Sequence, residues 1–411
     1  MQPTINYSFT KKNTIKKEEI RAALKVLKSG DLSGFMGSAG KQFLGGKFVR
    51  KFEKTVEKFY QVKYAISVNS WTSGLVAAVG SLDVEPGDEI IVTPWTMCAT
   101  ATAILHWNCI PVFADINKDT FCIDPLEIKK KITSRTKAII AVDIFGYPAD
   151  INGIKKVIKG KNIKIISDNA QAPYAINNGK ISGTNSDIGG FSFNYHKHIN
   201  TGEGGVIITN SKKLAQRMRL IRNHGEAVIK DNRMLQNNII GHNFRLGEIE
   251  ASIAIEQYKK LKNIVKERQH ICRKLTDGLT QFKGLILPKE TKRISHNYYI
   301  YPIKLDRNII SESRTRIINL LKKEGVQGLI DGYGAINNLP IFKNKIAYGK
   351  KKFPWSLRKK TLKNNDKCEN SEKLNKDIFF GIEVCLFELN NRDIKLIVQS
   401  FKKVWNNIKK K

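Results

Sequence analysis

The stretch DIGGFSFNYHKHINTGEGG, residues 187–205, places a single lysine, Lys197, between a short alternating apolar run (Phe191, Ser192, Phe193) and a glycine-rich turn. The run reads as a strand that ends in a loop whose backbone is free to bend. A lysine held there against apolar neighbours loses water, and desolvation lowers the pKa of its amine. Such an amine is a nucleophile and a proton carrier, able to hold an aldehyde as a Schiff base. The alternative is one surface lysine among the chain's 71 basic residues.

Outward from this stretch, apolar runs alternate with helical patterns. YAISV (64–68), EIIVT (89–93), IPVFADI (110–116), AIIAVDIF (138–145) and IKIISD (163–168) read as strands, with helices from about Thr72 and up to about residue 107 between them. Residues 16–28 (KKEEIRAALKVLK) predict a helix, and 29–46 (SGDLSGFMGSAGKQFLGG) predict a glycine-rich loop. The βαβ rhythm predicts an α/β fold with a mostly parallel central sheet sandwiched by helices. Ligands of such sheets sit at the carboxyl ends of the strands, where Asn69, Ser70 and Asp168 fall. A long helix is expected from near Phe244 to about residue 275, leading to a smaller α+β C-terminal domain. That domain would hold a strand at 297–305, a helix at 313–324, an irregular basic insertion at about 335–376 and a closing helix at 391–408. The expected division is an N-terminal helix and loop (1–50), a large cofactor-binding domain (51–265) and a small domain (266–411). The 350–376 part of the insertion is poor in apolar residues and reads as a solvated segment.

Bulk composition bounds the function. The 411 residues exceed a typical single core, and 41% hydrophobic content supports packed domains rather than disorder. No apolar stretch approaches the length of a membrane span, and MQPTINYSFTKKNT lacks the apolar centre of a secretory signal. The six cysteines (Cys98, Cys109, Cys122, Cys272, Cys368, Cys385) have no metal-binding spacing, and no metal is expected. They read as free thiols of a cytoplasmic protein. Net charge is +34, a value that invites an anionic partner such as nucleic acid. The lysines are spread over most helices rather than gathered in one stripe. No helix-turn-helix, zinc spacing or aromatic-rich basic motif accompanies them. The charge therefore reads as a solvated surface that also attracts anionic substrates.

Four separated pieces suit one chemistry. Asp168 ends an apolar strand, where a carboxylate can pair with a protonated pyridine nitrogen; an aspartate there also serves as a helix N-cap. Gln171, three residues on, can reach a ring hydroxyl or complete a capping box. Ser70, Trp71 and Thr72 join a strand to a helix, and N–H groups at a helix N-terminus bind phosphate. Ser192 precedes Lys197 by five residues and can add a hydroxyl to that phosphate site. A pyridine ring, an aldehyde and a phosphate together describe pyridoxal 5′-phosphate (PLP). His196 and His198 flank the lysine and read as structural neighbours.

In order and spacing, LSGFMGSAGKQFLGG, NSWTSGL, GDEIIVTPWTMCATATAIL, PVFADI, SDNAQA, FSFNYHKHINTGEGGVIITN, IRNHGE and GHNFRLGEIEASIAIEQYKKL resemble the DegT–StrS family of PLP-dependent sugar aminotransferases. The resemblance covers residues 15 to about 270, and the remainder more loosely. It implies a PLP-dependent transferase of fold type I, acting as a homodimer with shared sites. It places the Schiff-base lysine at Lys197, the ring-nitrogen carboxylate at Asp168 and the ring-hydroxyl neighbour at Gln171. The phosphate group falls to Ser192 and to the Ser70–Trp71–Thr72 turn, with Asn243 reaching a neighbouring subunit's phosphate. Trp71 stands where the family usually has glycine. The residue that stacks on the ring falls on Met97, with Trp95 the nearby alternative. Some members carry histidine at the lysine position and act as dehydratases; Lys197 favours transamination.

The function implied by the resemblance is transfer of an amino group from glutamate or glutamine to a keto-sugar, nucleotide-linked in the family's manner, for surface polysaccharide of the lipopolysaccharide or O-antigen type. Alternatives are a keto-cyclitol aminotransferase of the aminoglycoside type and a non-catalytic PLP-binding regulator. Substrate contacts are expected from the glycine-rich loop at 31–46, the basic segment 343–363, His224 and Arg245.

Overall fold

A computed structural model describes residues 2–37, 40–225, 239–291, 293–358 and 367–411. The chain opens with α1 (Lys17–Ser29) and α2 (Lys47–Tyr60). The order then runs β1 (Tyr64–Val68), α3 (Trp71–Gly80), β2 (Glu89–Val92), α4 (Cys98–Leu105), β3 (Ile110–Phe113), α5 (Pro125–Lys131), β4 (Thr136–Val142), α6 (Ile151–Val157) and β5 (Lys164–Asp168). Two-residue strands β6 (Ile176–Asn177) and β7 (Lys180–Ile181) precede β8 (Ile188–Ser192), β9 (Gly205–Thr209) and α7 (Lys212–Arg222). Helix α8 (Glu248–Leu279) leads to β10 (Leu285–Ile286), β11 (Ile294–Ser295), β12 (Tyr301–Leu305), α9 (Arg314–Lys323) and β13 (Leu329–Asp331). Short helices α10 (Pro340–Lys343) and α11 (Glu369–Lys373), strand β14 (Phe379–Ile382) and helix α12 (Asn391–Asn407) complete the described chain.

The seven-stranded sheet has the order β1-β9-β8-β5-β4-β2-β3. Pairs β2–β3, β2–β4, β4–β5 and β5–β8 are parallel, and β9 alone runs against its neighbours β8 and β1. Successive side chains on a strand point to opposite faces, and the strands are apolar on both. Ile90, Val92, Ala138 and Ile140 pack with α3, α4 and α7 on one side. Ile91, Ile139 and Ala141 pack with Ile151 and Ile154 of α6 on the other. Phe191, Val206 and Ile208 meet α2 and α8. The expected sandwich is the one found. A four-stranded antiparallel sheet, β10-β12-β14-β13, builds a separate apolar cluster with α9 and α12.

Helix α8 serves both clusters. Ala251, Ala254, Ile255, Tyr258, Leu261 and Val265 face the large sheet, whereas Cys272, Leu275 and Leu279 face the small one. It begins at Glu248 rather than near Phe244, because the backbone of Phe244 is already used: its N–H donates to Arg222 O and its C=O accepts from Asn69. Strand β12 likewise starts at Tyr301, since Asn297 and Tyr299 donate their N–H groups to Gly146 and Phe145. Helix α2 lay outside the sequence expectations, although its buried Val49, Phe52, Val56 and Tyr60 recur at helical spacing. The basic insertion is anchored more firmly than its composition suggested. Ile336, Phe342, Trp355 and Cys368 are buried against the α3–α4 side of the large sheet. Residues 359–366 of that insertion, and 38–39 of the glycine-rich loop, lie outside the described residues. Among the described residues no helix is long and apolar enough to cross a membrane.

One buried ion pair ties several elements behind the first strand–helix turn. Arg222 Nη1 donates to Glu53 Oε1 at 2.6 Å and to Ser67 O at 3.1 Å. Glu53 Oε1 also accepts from the Ser67 N–H at 2.9 Å. Removing one member leaves the other charged and buried without its partner. Glu53→Ala is therefore expected to cost about 3–5 kcal/mol, read as a lower urea midpoint. An unchanged midpoint would show that the pair contributes nothing to the α2–β1–α7 junction.

Candidate active site

The carboxyl ends of β1, β2, β4, β5 and β8 meet at one edge of the large sheet, and a pocket of about 240 Å³ lies there. Ser70, Trp71 and Thr72 line it from the β1–α3 turn, Thr96, Met97 and Thr100 from the start of α4, and Asp168 and Gln171 from the end of β5. Ser192, Asn194, His196, Lys197 and Glu203 come from the β8–β9 connection. Tyr299 and Tyr333 close it from the C-terminal part of the chain. Eight of the sequence-selected residues thus share one pocket: Lys197, Asp168, Gln171, Ser192, Ser70, Trp71, Thr72 and Met97.

The β8–β9 connection fixes Lys197 between two buried anchors, Phe193 and Ile199. The Phe193 N–H donates to Gly204 O and its C=O accepts from Thr201. Gly204 sits at φ +144, where a Cβ would also lie 2.9 Å from Thr201 Oγ1, so the turn requires glycine. Lys197 Nζ is 4.4 Å from the centre of the Tyr299 ring. Burial lowers its amine to about 8, against the opposing pull of Cys385 and Asp168. His196, on the pocket wall, is lowered to about 4 by burial and by Lys197, so its imidazole is neutral at pH 7. His198 is fully buried, with Nε2 2.9 Å from Asn297 O, and has a structural place.

Asp168 is buried, and three donors hold it. Trp71 Nε1 donates to Oδ1 at 2.7 Å, the Ala170 N–H to Oδ1 at 3.2 Å, and Thr100 Oγ1 to Oδ2 at 2.9 Å. Burial raises its carboxyl, while Thr100, Trp71, Ala170 and the Lys197 charge act against that rise. Gln171 Oε1 accepts from the Phe145 N–H at 2.6 Å, and its Nε2 donates to Tyr333 Oη at 3.2 Å. Ser70 caps α3, accepting from the Ser73 N–H at 3.1 Å. The N–H groups of Trp71 and Thr72 belong to the first turn of that helix, where no intrahelical acceptor exists. Ser192 Oγ accepts from the Asn194 N–H at 3.3 Å.

Four selected residues lie elsewhere. Trp95 is fully buried against Phe121, Phe379 and Tyr333, at ring separations of 6.0, 5.4 and 5.8 Å. It is a core residue and offers no face to the pocket; Met97, 68% exposed, is the one at the rim. Asn243 and Arg245 bond each other, Arg245 Nε to Asn243 Oδ1 at 2.8 Å, outside this chain's pocket. His224 is exposed at φ 65, with its N–H on His242 O, and is likewise outside. Thr96, Thr100, Asn194, Glu203, Tyr299 and Tyr333 line the pocket without having been singled out. Thr96 lies just before α4 and Thr100 in its first turn, with their hydroxyls 3.0 Å apart; neither they nor the tyrosines carry a local motif. Among the described residues there is no cluster able to hold a metal ion.

The molecule is an α/β transferase of fold type I with its ligand pocket at the strand ends. Its sequence matches the DegT/DnrJ/EryC1/StrS aminotransferase family over residues 14–361, and the chain belongs to that family of enzymes. It is 30% identical over 357 residues to the spore coat polysaccharide biosynthesis protein SpsC of Bacillus subtilis, covering 85% of this chain and 89% of that one. It is 32% identical over 283 residues to a GDP-perosamine synthase of Caulobacter vibrioides, covering 69% and 75%. Among solved structures, the Helicobacter pylori aminotransferase PseC, involved in the biosynthesis of pseudoaminic acid, superposes with a TM-score of 0.81 at 26% identity, over 98% of this chain and all of the other.

The lowered amine gives a direct measurement. Trapping by an aldehyde and borohydride, followed by peptide mapping, should label Lys197 with a pH midpoint near 8, well below the range near 10 of solvated lysines. Labelling that follows the surface lysines would contradict the desolvated setting of Lys197.

Proposed function

We propose that this protein moves an amino group from glutamate or glutamine to a nucleotide-linked keto-sugar in the making of a surface polysaccharide. The observation that carries the reading is the meeting of Lys197 and Asp168 in one pocket, beside the first turn of α3. Similarity to a GDP-perosamine synthase and to proteins of pseudoaminic acid and spore coat polysaccharide biosynthesis supports the substrate class.

The cofactor is PLP, which supplies an aldehyde to carry the amino group and an electron-withdrawing ring to stabilise a carbanion. The residues fit it: an amine, a buried carboxylate, and a helix N-terminus with two serine hydroxyls face one space. Lys197, with an amine lowered to about 8, is partly neutral at pH 7 and would be the residue that holds the cofactor through its aldehyde. Its Nζ would also be the group that accepts and gives back the α-proton of the amino donor, so one residue would both anchor and shuttle. Asp168, whose carboxyl burial pushes up and whose three donors favour the charged form, would offer that carboxylate to the ring nitrogen. Ser70, Ser192 and the N–H groups of Trp71 and Thr72 receive the phosphate. Gln171, tethered to Phe145 and Tyr333, has a fixed amide to present to the ring hydroxyl. Asn243 and Arg245, outside this chain's own pocket, complete the pocket of a second copy in a homodimer.

Lys197→Ala should abolish the visible absorbance of the bound cofactor and glutamate-dependent amination across a panel of nucleotide keto-sugars. Turnover like that of the wild type would rule out Lys197 as the anchor. For the shared site, mixing Lys197→Ala subunits with Asn243→Ala subunits should recover activity that neither has alone, because each hybrid contains one intact site. Absence of recovery in verified hybrids would place Asn243 outside the partner's pocket.

A further inference from the structure

We propose that Trp71 is a positioning residue for the cofactor ring: wedged into the space left by Gly74 and Gly190, its indole N–H clamps Asp168 so that the remaining acceptor position, on Oδ2, is the one offered to the ring nitrogen. The inference rests on the role given above to Asp168.

The space is specific. A Cβ on Gly190 would lie 1.8 Å from Trp71 Cζ3, and one on Gly74 would lie 2.6 Å from Cε3. A side chain at position 190 and this ring cannot both occupy the site. The ring is buried and directed at β5, where Nε1 meets Asp168 Oδ1 at 2.7 Å.

An ionised carboxylate has about four acceptor positions. Trp71 and Ala170 take two on Oδ1, and Thr100 takes one on Oδ2. The fourth is on Oδ2. Thr100 is itself steadied, its Oγ1 lying 3.0 Å from Thr96 Oγ1. An indole N–H only donates, and a donor to a carboxylate favours its charged form. Lys197 acts in the same sense, whereas burial acts against it; the nearby Asp143 is itself pushed up to about 6, by burial first and also by the charge of Asp168. Tyr333 also faces this group and is buried and neutral.

Trp71 has a second connection that a glycine could not make. Its backbone N–H lies in the first turn of α3, at the phosphate end of the pocket, while its side chain holds the carboxylate at the ring-nitrogen end. One residue thereby fixes the separation of the two groups that grip opposite ends of the cofactor.

The test uses PLP added to the apo-protein. Trp71→Phe keeps most of the packing and deletes the N–H. Its affinity for PLP should fall about tenfold, the effect of one hydrogen bond to a charged acceptor. The acid-side change in the bound cofactor's spectrum should move up by about one pH unit, with the far-ultraviolet circular dichroism unchanged. In an Asp168→Asn background the same substitution should lower affinity little further, since the clamp acts through that carboxylate. Gly190→Ala, whose Cβ would collide with the Trp71 ring and push it from its place beside Asp168, is the second variant and should shift the spectrum in the same direction. Wild-type affinity and pH profile in either single variant, or simple addition of the Trp71 and Asp168 effects, would overturn the role of Trp71. Failure of the unaltered protein to bind PLP would instead overturn the functional reading on which the proposal stands.

Discussion

A carboxylate at the end of a buried parallel strand must be compensated, and the pocket is arranged around the compensation of Asp168. Its three donors come from the start of α3, from α4 and from the backbone just past β5. These are the same segments that must converge for any ligand to sit at the strand ends. Satisfying one buried charge therefore draws together the helix N-terminus, the threonine pair and the strand edge. Lys197 enters from the β8–β9 connection, on a turn that closes through Gly202 and Gly204, both at positive φ. Cys385 and this carboxylate oppose the desolvation of that amine, which remains within reach of both protonation states near neutral pH.

Much of the large sheet was legible because parallel strands covered on both faces are continuous apolar runs. YAISV at 64–68 coincides with β1, and IKIISD overlaps β5 to its last residue. The strand-end residues followed at once, since a polar residue right after such a run has one place to go. The C-terminal contribution was not legible. Tyr299 and Tyr333 reach the pocket through hydrogen bonds and packing that join residues far apart in sequence. The Tyr299 N–H pairs with Phe145, and the Tyr333 N–H with Asn375 Oδ1. No spacing within either segment announces those partners.

Trp95 and Met97 show the same limit at short range. Two residues apart near the end of one strand, they differ in burial completely. The aromatic one was the better candidate for stacking by chemistry alone. Its isolated pairing with Ala335 and its contacts with Phe121, Phe379 and Tyr333 bury it instead in the layer between the two sheets. Position along a strand decides which face a side chain sees, and the strand's end is where that alternation stops being a guide.

The first residues of the described chain have a long-range commitment of their own. Ile5 and Phe9 are buried in the cluster built by β12, β14, α9 and α12. The Ile5 N–H donates to Glu324 O, and Lys11 pairs with Phe387. On a ribosome adding about 5–20 residues per second, this segment is made on the order of tens of seconds before the surface it will cover. Until residues near 380 emerge, its apolar side chains have no native partner. The large sheet can close earlier, from residues 64–209, but the tyrosines that complete its pocket arrive only with the later segment. The order of synthesis thus delays the last walls of the pocket until Tyr333 has been made, and the apolar side chains of Ile5 and Phe9 wait longer still for their cover.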